Sequence, residues 1–207
     1  MLNDLITRYP QLDGCKTSIE AAAKMIIDCY EGNGKLLLCG NGGSAADCDH
    51  IVGELMKGFL KKRRLDAKQR DAMRSRCPQI DDKTLDSLQA ALPAISLPSI
   101  AALNSAFCND AEPSLIYAQS VLALGNENDL LIAISTSGNS TNVLNAAVVA
   151  KSLGIKTVAL CGKSGGKLRG VCDISICVPE EQTYKAQELH MPIYHYLCAN
   201  TEEHFFD

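Results

Sequence analysis

His50 and Glu54 stand four positions apart, so on a helix their side chains share one face, one turn apart. That spacing either chelates one metal ion or sets a base beside its partner. Farther along, Gln187, His190 and His195 share a broad face of a second helix, since eight positions bring a helix back to within roughly 80° at 3.6 residues per turn. A different chemistry is written in Ser135-Thr136-Ser137-Gly138-Asn139-Ser140. Its hydroxyls surround a glycine that lets the backbone turn tightly, and Ser140 or Asn139 can cap the helix predicted over 141–152. A helix N-terminus points free N–H groups and a partial positive charge at its occupant, so a phosphate is the natural guest. Gly40-Asn41-Gly42-Gly43-Ser44 follows the same logic, with Gly42 and Gly43 allowing close backbone approach and Ser44 able to cap. That turn is not a dinucleotide fingerprint, because it lacks the third glycine at the required spacing and no acidic residue closes a following strand. The phosphate loop of nucleoside triphosphatases is missing too.

These turns need strands to launch them. Leu130 to Ile134 is an unbroken apolar run, which suits a parallel strand covered on both faces. Comparable runs occur at 35–39, 93–97, 156–161 and 173–178. Helical spacing marks 16–31, closed by Gly32-Asn33-Gly34, and then 45–59, 99–106, 113–124, 141–152 and 183–205. Asn109-Asp110 falls between two of these helices and reads as loop. Pro192, inside the last helix, leaves the Glu188 carbonyl without its usual donor and is expected to bend the axis. Five strands alternating with helices specify an α/β fold, a doubly wound five-stranded parallel sheet with helices on both faces. Such sheets bind ligands beyond the carboxyl ends of the strands, where chain order switches. With strand order 2-1-3-4-5, the turns at 40–44 and 135–140 face each other across that crevice.

The segment 61–92 breaks the pattern. It is charged and irregular, with Cys77-Pro78 separating two short helices near 66–75 and 82–91, and reads as an insertion in a chain otherwise forming one domain over 1–207. Its basic run Lys61-Lys62-Arg63-Arg64 reads as a solvated face, with steering of an anionic substrate as the alternative.

The 207 residues are 46% hydrophobic and 21% charged, ordinary for one globular domain. A formal charge of −4 argues against a general nucleic-acid surface. No apolar run approaches the roughly 20 residues that span a bilayer, and Met1 to Arg8 does not read as a secretory signal. A cytoplasmic location is expected. None of the ten cysteines is spaced C-x-x-C, so they read as reduced, buried small hydrophobes rather than metal ligands.

Taken together, Cys39-Gly40-Asn41-Gly42-Gly43-Ser44, His50-x-x-x-Glu54, Asn109-Asp110, the turn 135–140 and Gln187-x7-His195 resemble the SIS-domain phosphoheptose isomerases. The resemblance runs from about residue 12 to 205, excepting the insertion. It implies an aldose–ketose isomerase that converts sedoheptulose 7-phosphate to D-glycero-D-manno-heptose 7-phosphate through an enediolate. By that resemblance Ser135, Thr136, Ser137 and Ser140 bind the phosphate, while Asn41, Gly42, Gly43, Asn109 and Asp110 contact the sugar. Gln187 joins the substrate-binding set; Glu54, which also touches the sugar, is the general base and His195 the acid. Zinc, held in some members by residues matching His50, Glu54, Gln187 and His195, is the implied cofactor. Two imidazoles and two oxygen ligands suit it, with other divalent ions open. Such enzymes are homotetramers with sites completed by neighbouring subunits.

The residue types fit this chemistry independently. Moving a carbonyl between C1 and C2 needs a base at carbon, an acid at oxygen and stabilisation of the enediolate. Two departures bear on the substrate: Tyr184 and Lys185 stand where the family carries an acidic and then a basic residue, and the insertion is longer than the family's. The alternative is a non-catalytic SIS module that senses sugar phosphates or binds a replication initiator; such a module does not need His50, Glu54 and His195 together.

Overall fold

In a computed structural model, which describes residues 1–206, a short helix α1 (Leu2–Arg8) and a 3-10 segment (Pro10–Cys15) precede the first expected element. The chain then runs α2 (Lys16–Glu31), β1 (Leu36–Cys39), α3 (Gly43–Leu55), α4 (Ala67–Arg76), α5 (Asp82–Ser87), β2 (Ala94–Ser96) and α6 (Ala101–Asp110). It continues through α7 (Ile116–Leu124), β3 (Leu130–Ser135), α8 (Thr141–Ser152), β4 (Lys156–Cys161), α9 (Leu168–Val171), β5 (Ile174–Cys177) and α10 (Thr183–Phe205). The described strands form one parallel sheet, as the alternation predicts, in the expected order β2-β1-β3-β4-β5.

Strand residues alternate between two cores, because successive side chains leave opposite faces of a strand. Leu36, Leu38, Leu130, Ile132, Ile134, Val158 and Leu160 pack beneath α2, α3 and α10. Leu37, Cys39, Leu131, Ala133, Ala159 and Cys161 pack on the other face, under α7 and α8. Each fully buried aliphatic side chain contributes about 1.5–3 kcal/mol, so the central strands β1, β3 and β4 form a stiff platform. Its carboxyl ends carry the two turns. No helix among the described residues is long and apolar enough to cross a membrane, and the cysteines are free thiols, most of them buried or half-buried.

Several element limits differ from those read in the sequence, each for a local reason. α3 stops at Leu55 rather than near Phe59, because the Arg63 guanidinium takes the carbonyls of Glu54 and Leu55. α6 continues to Asp110, so Asn109 and Asp110 occupy a helical turn rather than a loop; neither glycine nor proline interrupts 101–110. Ser140 stands at the N-cap of α8 but pairs its hydroxyl with Ser135, and Gly42 rather than Ser44 caps α3. α10 runs through Pro192 as one helix.

The insertion is a closed hairpin of α4 and α5. Arg64 and Gln89 form an antiparallel bridge at its stem, Asp66 and Gln69 make a reciprocal cap on α4, and Arg70–Asp86 and Arg74–Asp82 pair the two helices. Leu85 is fully buried and anchors it. The basic run is therefore not simply a solvated face: Arg63 is 1% exposed and pairs with Glu202 at 2.6 Å, while Lys61 pairs with Glu203 at 2.8 Å.

Candidate active site

β3 delivers the hydroxyl turn to the edge of the sheet. Ser135 ends the strand buried, Thr136 and Ser140 are half-buried and Ser137 is exposed, so the hydroxyls step outward from core to solvent. Ser135 Oγ and Ser140 Oγ lie 3.0 Å apart. Gly138 takes φ 65°, a left-handed conformation in which a side chain is strained, and its carbonyl accepts from the Leu168 amide at 3.0 Å. The Gly162 amide donates to the Thr136 carbonyl at 2.9 Å, and the Lys167 amide to Asn139 Oδ1 at 3.1 Å. The loop after β4 thus braces the turn from behind, leaving its front open.

The turn after β1 faces it. Asn41 and Asn142, at the start of α8, exchange two amide hydrogen bonds of 2.9 Å. Tyr117 from α7 donates to the Gly40 carbonyl at 2.8 Å and to Asn41 Oδ1 at 3.2 Å. Asn142 and Tyr117 were not singled out in the sequence; their partners lie on distant segments, and no local spacing announces them. Gln187 from α10 lies over Gly43, where a Cβ would meet its Nε2 at 2.5 Å. A side chain there would displace the Gln187 amide.

Farther along α3, roughly 10 Å beyond Gly43 at 1.5 Å per residue, stands His50. Its Nε2 is 3.1 Å from Glu54 Oε1 and 3.4 Å from His195 Nε2. Two side chains from an early helix and one from the last helix therefore converge on one point. Tyr194 fixes the ring: its hydroxyl donates to Asp47 Oδ1 at 3.2 Å and lies 3.1 Å from His50 Nδ1. Tyr194 thus holds Nδ1 of His50 on one side and leaves Nε2 directed toward Glu54 and His195. Asp47 is pushed above the usual carboxylate range by burial, which the Tyr194 bond and His50 oppose. His195 is pushed below the usual imidazole value by burial and by His50, with Glu54 acting the other way; it is neutral at pH 7.

Glu54 is largely shielded, its side chain 15% exposed, and its second oxygen meets Lys57 Nζ at 3.2 Å. Phe59 lies against His195 with ring centroids 5.7 Å apart. Both Phe59 and His195 line a cleft of about 480 Å³ that continues to Arg8 and Tyr9. His190, grouped with Gln187 and His195 in the sequence, turns instead into the core and is fully buried. Asn109 and Asp110 are exposed at the end of α6, bonded to each other at 2.7 Å, and within one chain they join neither turn.

The donor set suits a divalent ion. A tetrahedral shell with metal–nitrogen bonds of about 2.0–2.1 Å places its ligands about 3.3 Å apart, close to the two separations at His50 Nε2. As the side chains stand, no group of three or more His, Cys, Asp or Glu among the described residues is placed to hold a metal ion.

A parallel sheet in this strand order, carrying a hydroxyl turn at its switch point, defines a SIS-domain protein, and SIS-domain models match residues 9–75 and 102–199. The chain belongs, more particularly, to the phosphoheptose isomerase family of sugar-phosphate isomerases. A phosphoheptose isomerase of Helicobacter pylori is 36% identical over 215 residues, covering 99% of this chain and 98% of the relative. One from a Nitratiruptor species is 39% identical over 187 residues, covering 90% and 86%. The solved phosphoheptose isomerase of Francisella tularensis superposes with a TM-score of 0.77 at 33% identity, over 95% of this chain and 91% of that one.

Proposed function

We propose that this protein interconverts sedoheptulose 7-phosphate and D-glycero-D-manno-heptose 7-phosphate by proton transfer through an enediolate. The observation that carries the reading is the meeting of Glu54, His50 and His195 at one point, along α3 from a turn suited to phosphate. The phosphate sits on Ser135, Thr136, Ser137 and Ser140 at the start of α8, where hydroxyls, backbone amides and the helix dipole all favour an anion. Asn41 and Gly42 border the sugar, with Gly43 and the Gln187 amide packed together beside them. The carbon chain extends along α3 and brings C1 and C2 to Glu54.

There Glu54 removes the C1 proton of the ketose, and the electron pair moves into the C1–C2 bond as the C2 carbonyl becomes an oxyanion. The proton is returned at C2 while the O1 hydroxyl proton passes to O2, relayed by His195, giving the aldose. His195, neutral at this site, donates its N–H to the oxygens, a role that a neutral imidazole fills in a comparable isomerisation. Shielding from water keeps Glu54 free to act on carbon. His50, Glu54, His195 and Gln187 would hold zinc, which when bound polarises the carbonyl and stabilises the oxyanion.

Asn109 and Asp110 stand on a helix with no buried residue, a placement suited to serving a neighbouring copy's site in a homotetramer. Free thiols throughout suit the reducing cytoplasm.

The test is a panel of five-, six- and seven-carbon ketose phosphates incubated with the protein, with and without added zinc, and followed by NMR. Aldose product is expected from the seven-carbon substrate; silence across the panel would refute the reading.

A further inference from the structure

Arg63 is fully enclosed, and its donors bridge two segments, the end of α3 and the last helix α10. Nε binds Glu202 Oε1 on α10 at 2.6 Å, Nη1 binds the Leu55 carbonyl at 2.6 Å and Nη2 the Glu54 carbonyl at 3.1 Å. The guanidinium therefore occupies the carboxyl end of α3, where carbonyls lack helical partners and the dipole is negative. Glu202 completes the clasp from the other side. Its Oε1 accepts from the Phe59 amide at 2.8 Å, and its Oε2 from the amides of Leu60 and Lys61 at 2.6 and 3.1 Å. Burial alone would raise the Glu202 carboxyl, but the Phe59 and Leu60 amides and Arg63 outweigh it and hold it below the usual range. The Phe206 ring covers the guanidinium at 4.7 Å.

What this cluster holds in place is the reacting end of the site. Glu54 sits in the last turn of α3, the part of a helix that frays first, and Phe59, whose amide Glu202 holds, lies against His195. A buried ion pair is weak evidence for net stability, since the desolvation of both charges offsets their attraction. Its geometry is what distinguishes it here.

We infer that Arg63 and Glu202 are positioning residues for the isomerisation, fixing the Glu54 carboxylate and the Phe59 wall at their distances from His195. The inference rests on the isomerase reading above for its kinetic consequence, and on the structure alone for its mechanical one. Two variants test it. R63K keeps the charge opposite Glu202, but one ammonium cannot reach both carbonyls and the carboxylate in the geometry of the fork. E202Q keeps the shape and one acceptor oxygen.

In folded R63K, amides of residues 52–61 should exchange about tenfold faster than in wild type. With the heptose phosphate, kcat should fall about 10- to 100-fold while KM moves by less than about threefold. A purely structural role would shift the thermal midpoint and leave kcat of the folded fraction unchanged. Wild-type exchange together with wild-type kcat in R63K overturns the inference. Should R63K fail to fold, E202Q is read by the same two measurements. If the wild-type protein turns over no ketose phosphate, the isomerase reading falls, and the exchange comparison alone still decides whether Arg63 fixes Glu54.

Discussion

Burial leaves His190 neutral. Neither ring nitrogen makes a hydrogen bond of normal geometry among the described residues, and desolvation pushes its pKa down to about 4, opposed only by an approach to the Cys161 backbone. An unfolded histidine titrates near 6.5, so between these values the unfolded chain binds a proton that the folded chain refuses. Stability is then complete above about pH 6.5 and falls toward pH 4, by about 3 kcal/mol. Glu202 acts in a lower window: its carboxyl is held down in the folded state, so its contribution is present above the usual carboxylate range and disappears only on further acidification. Urea unfolding of wild type and His190→Gln between pH 4 and 7 should show a slope in the first that is missing in the second; equal slopes would contradict the assignment. The sequence offers no sign of His190's fate, since its spacing from Gln187 and His195 suits the site as well as the core. Arg63 is hidden for the opposite reason. It sits in a basic run that reads as surface, and its partner Glu202 is 139 positions away.

At the scale of elements, the strands were legible because Leu130–Ile134 and its counterparts are apolar without alternation, which only a sheet covered on both sides tolerates. α8 was legible at both ends, Thr141 and Ser152, from the turn before it and the apolar spacing within it. Helix ends set by distant groups were not: α3 stops where Arg63 reaches its carbonyls, and α1 is too short and too exposed to leave a periodic trace. The hydroxyl turn was legible in composition but not in its bracing. Gly138 combines φ 65° with a Cβ direction blocked by the backbone of Gly165 and Gly166. Gly138→Ala must therefore move the braced loop, and should lose more than about 1 kcal/mol of stability. The same change should weaken binding of inorganic phosphate by about tenfold or more, read by calorimetry. Wild-type phosphate affinity in that variant would remove the turn from its assigned role.

For the whole molecule, alternation of strands and helices gave the parallel sheet, and the strand order 2-1-3-4-5 then places the turns at 40–44 and 135–140 side by side, since β1 and β3 are neighbours. The meeting of His50 and His195 was not legible from alternation; only the family resemblance implied it. What alternation also left open was how two distant turns are locked. The Asn41–Asn142 exchange and the Tyr117 bonds do this, and each joins segments that no local pattern connects. Asn109 and Asp110 show the reverse: their motif was legible, but within one chain they stand exposed on α6, bonded to each other.

The proposed function rests on Glu54 moving a proton between carbons, and hydrogen exchange reports that step directly. With the heptose phosphate in deuterium oxide, wild-type protein should introduce deuterium at C1 or C2, followed by NMR. Glu54→Gln should bind the sugar phosphate with an affinity within about threefold of wild type, since the phosphate contacts lie elsewhere, and introduce none. Deuterium incorporation by Glu54→Gln at the wild-type rate would show that another group takes the proton.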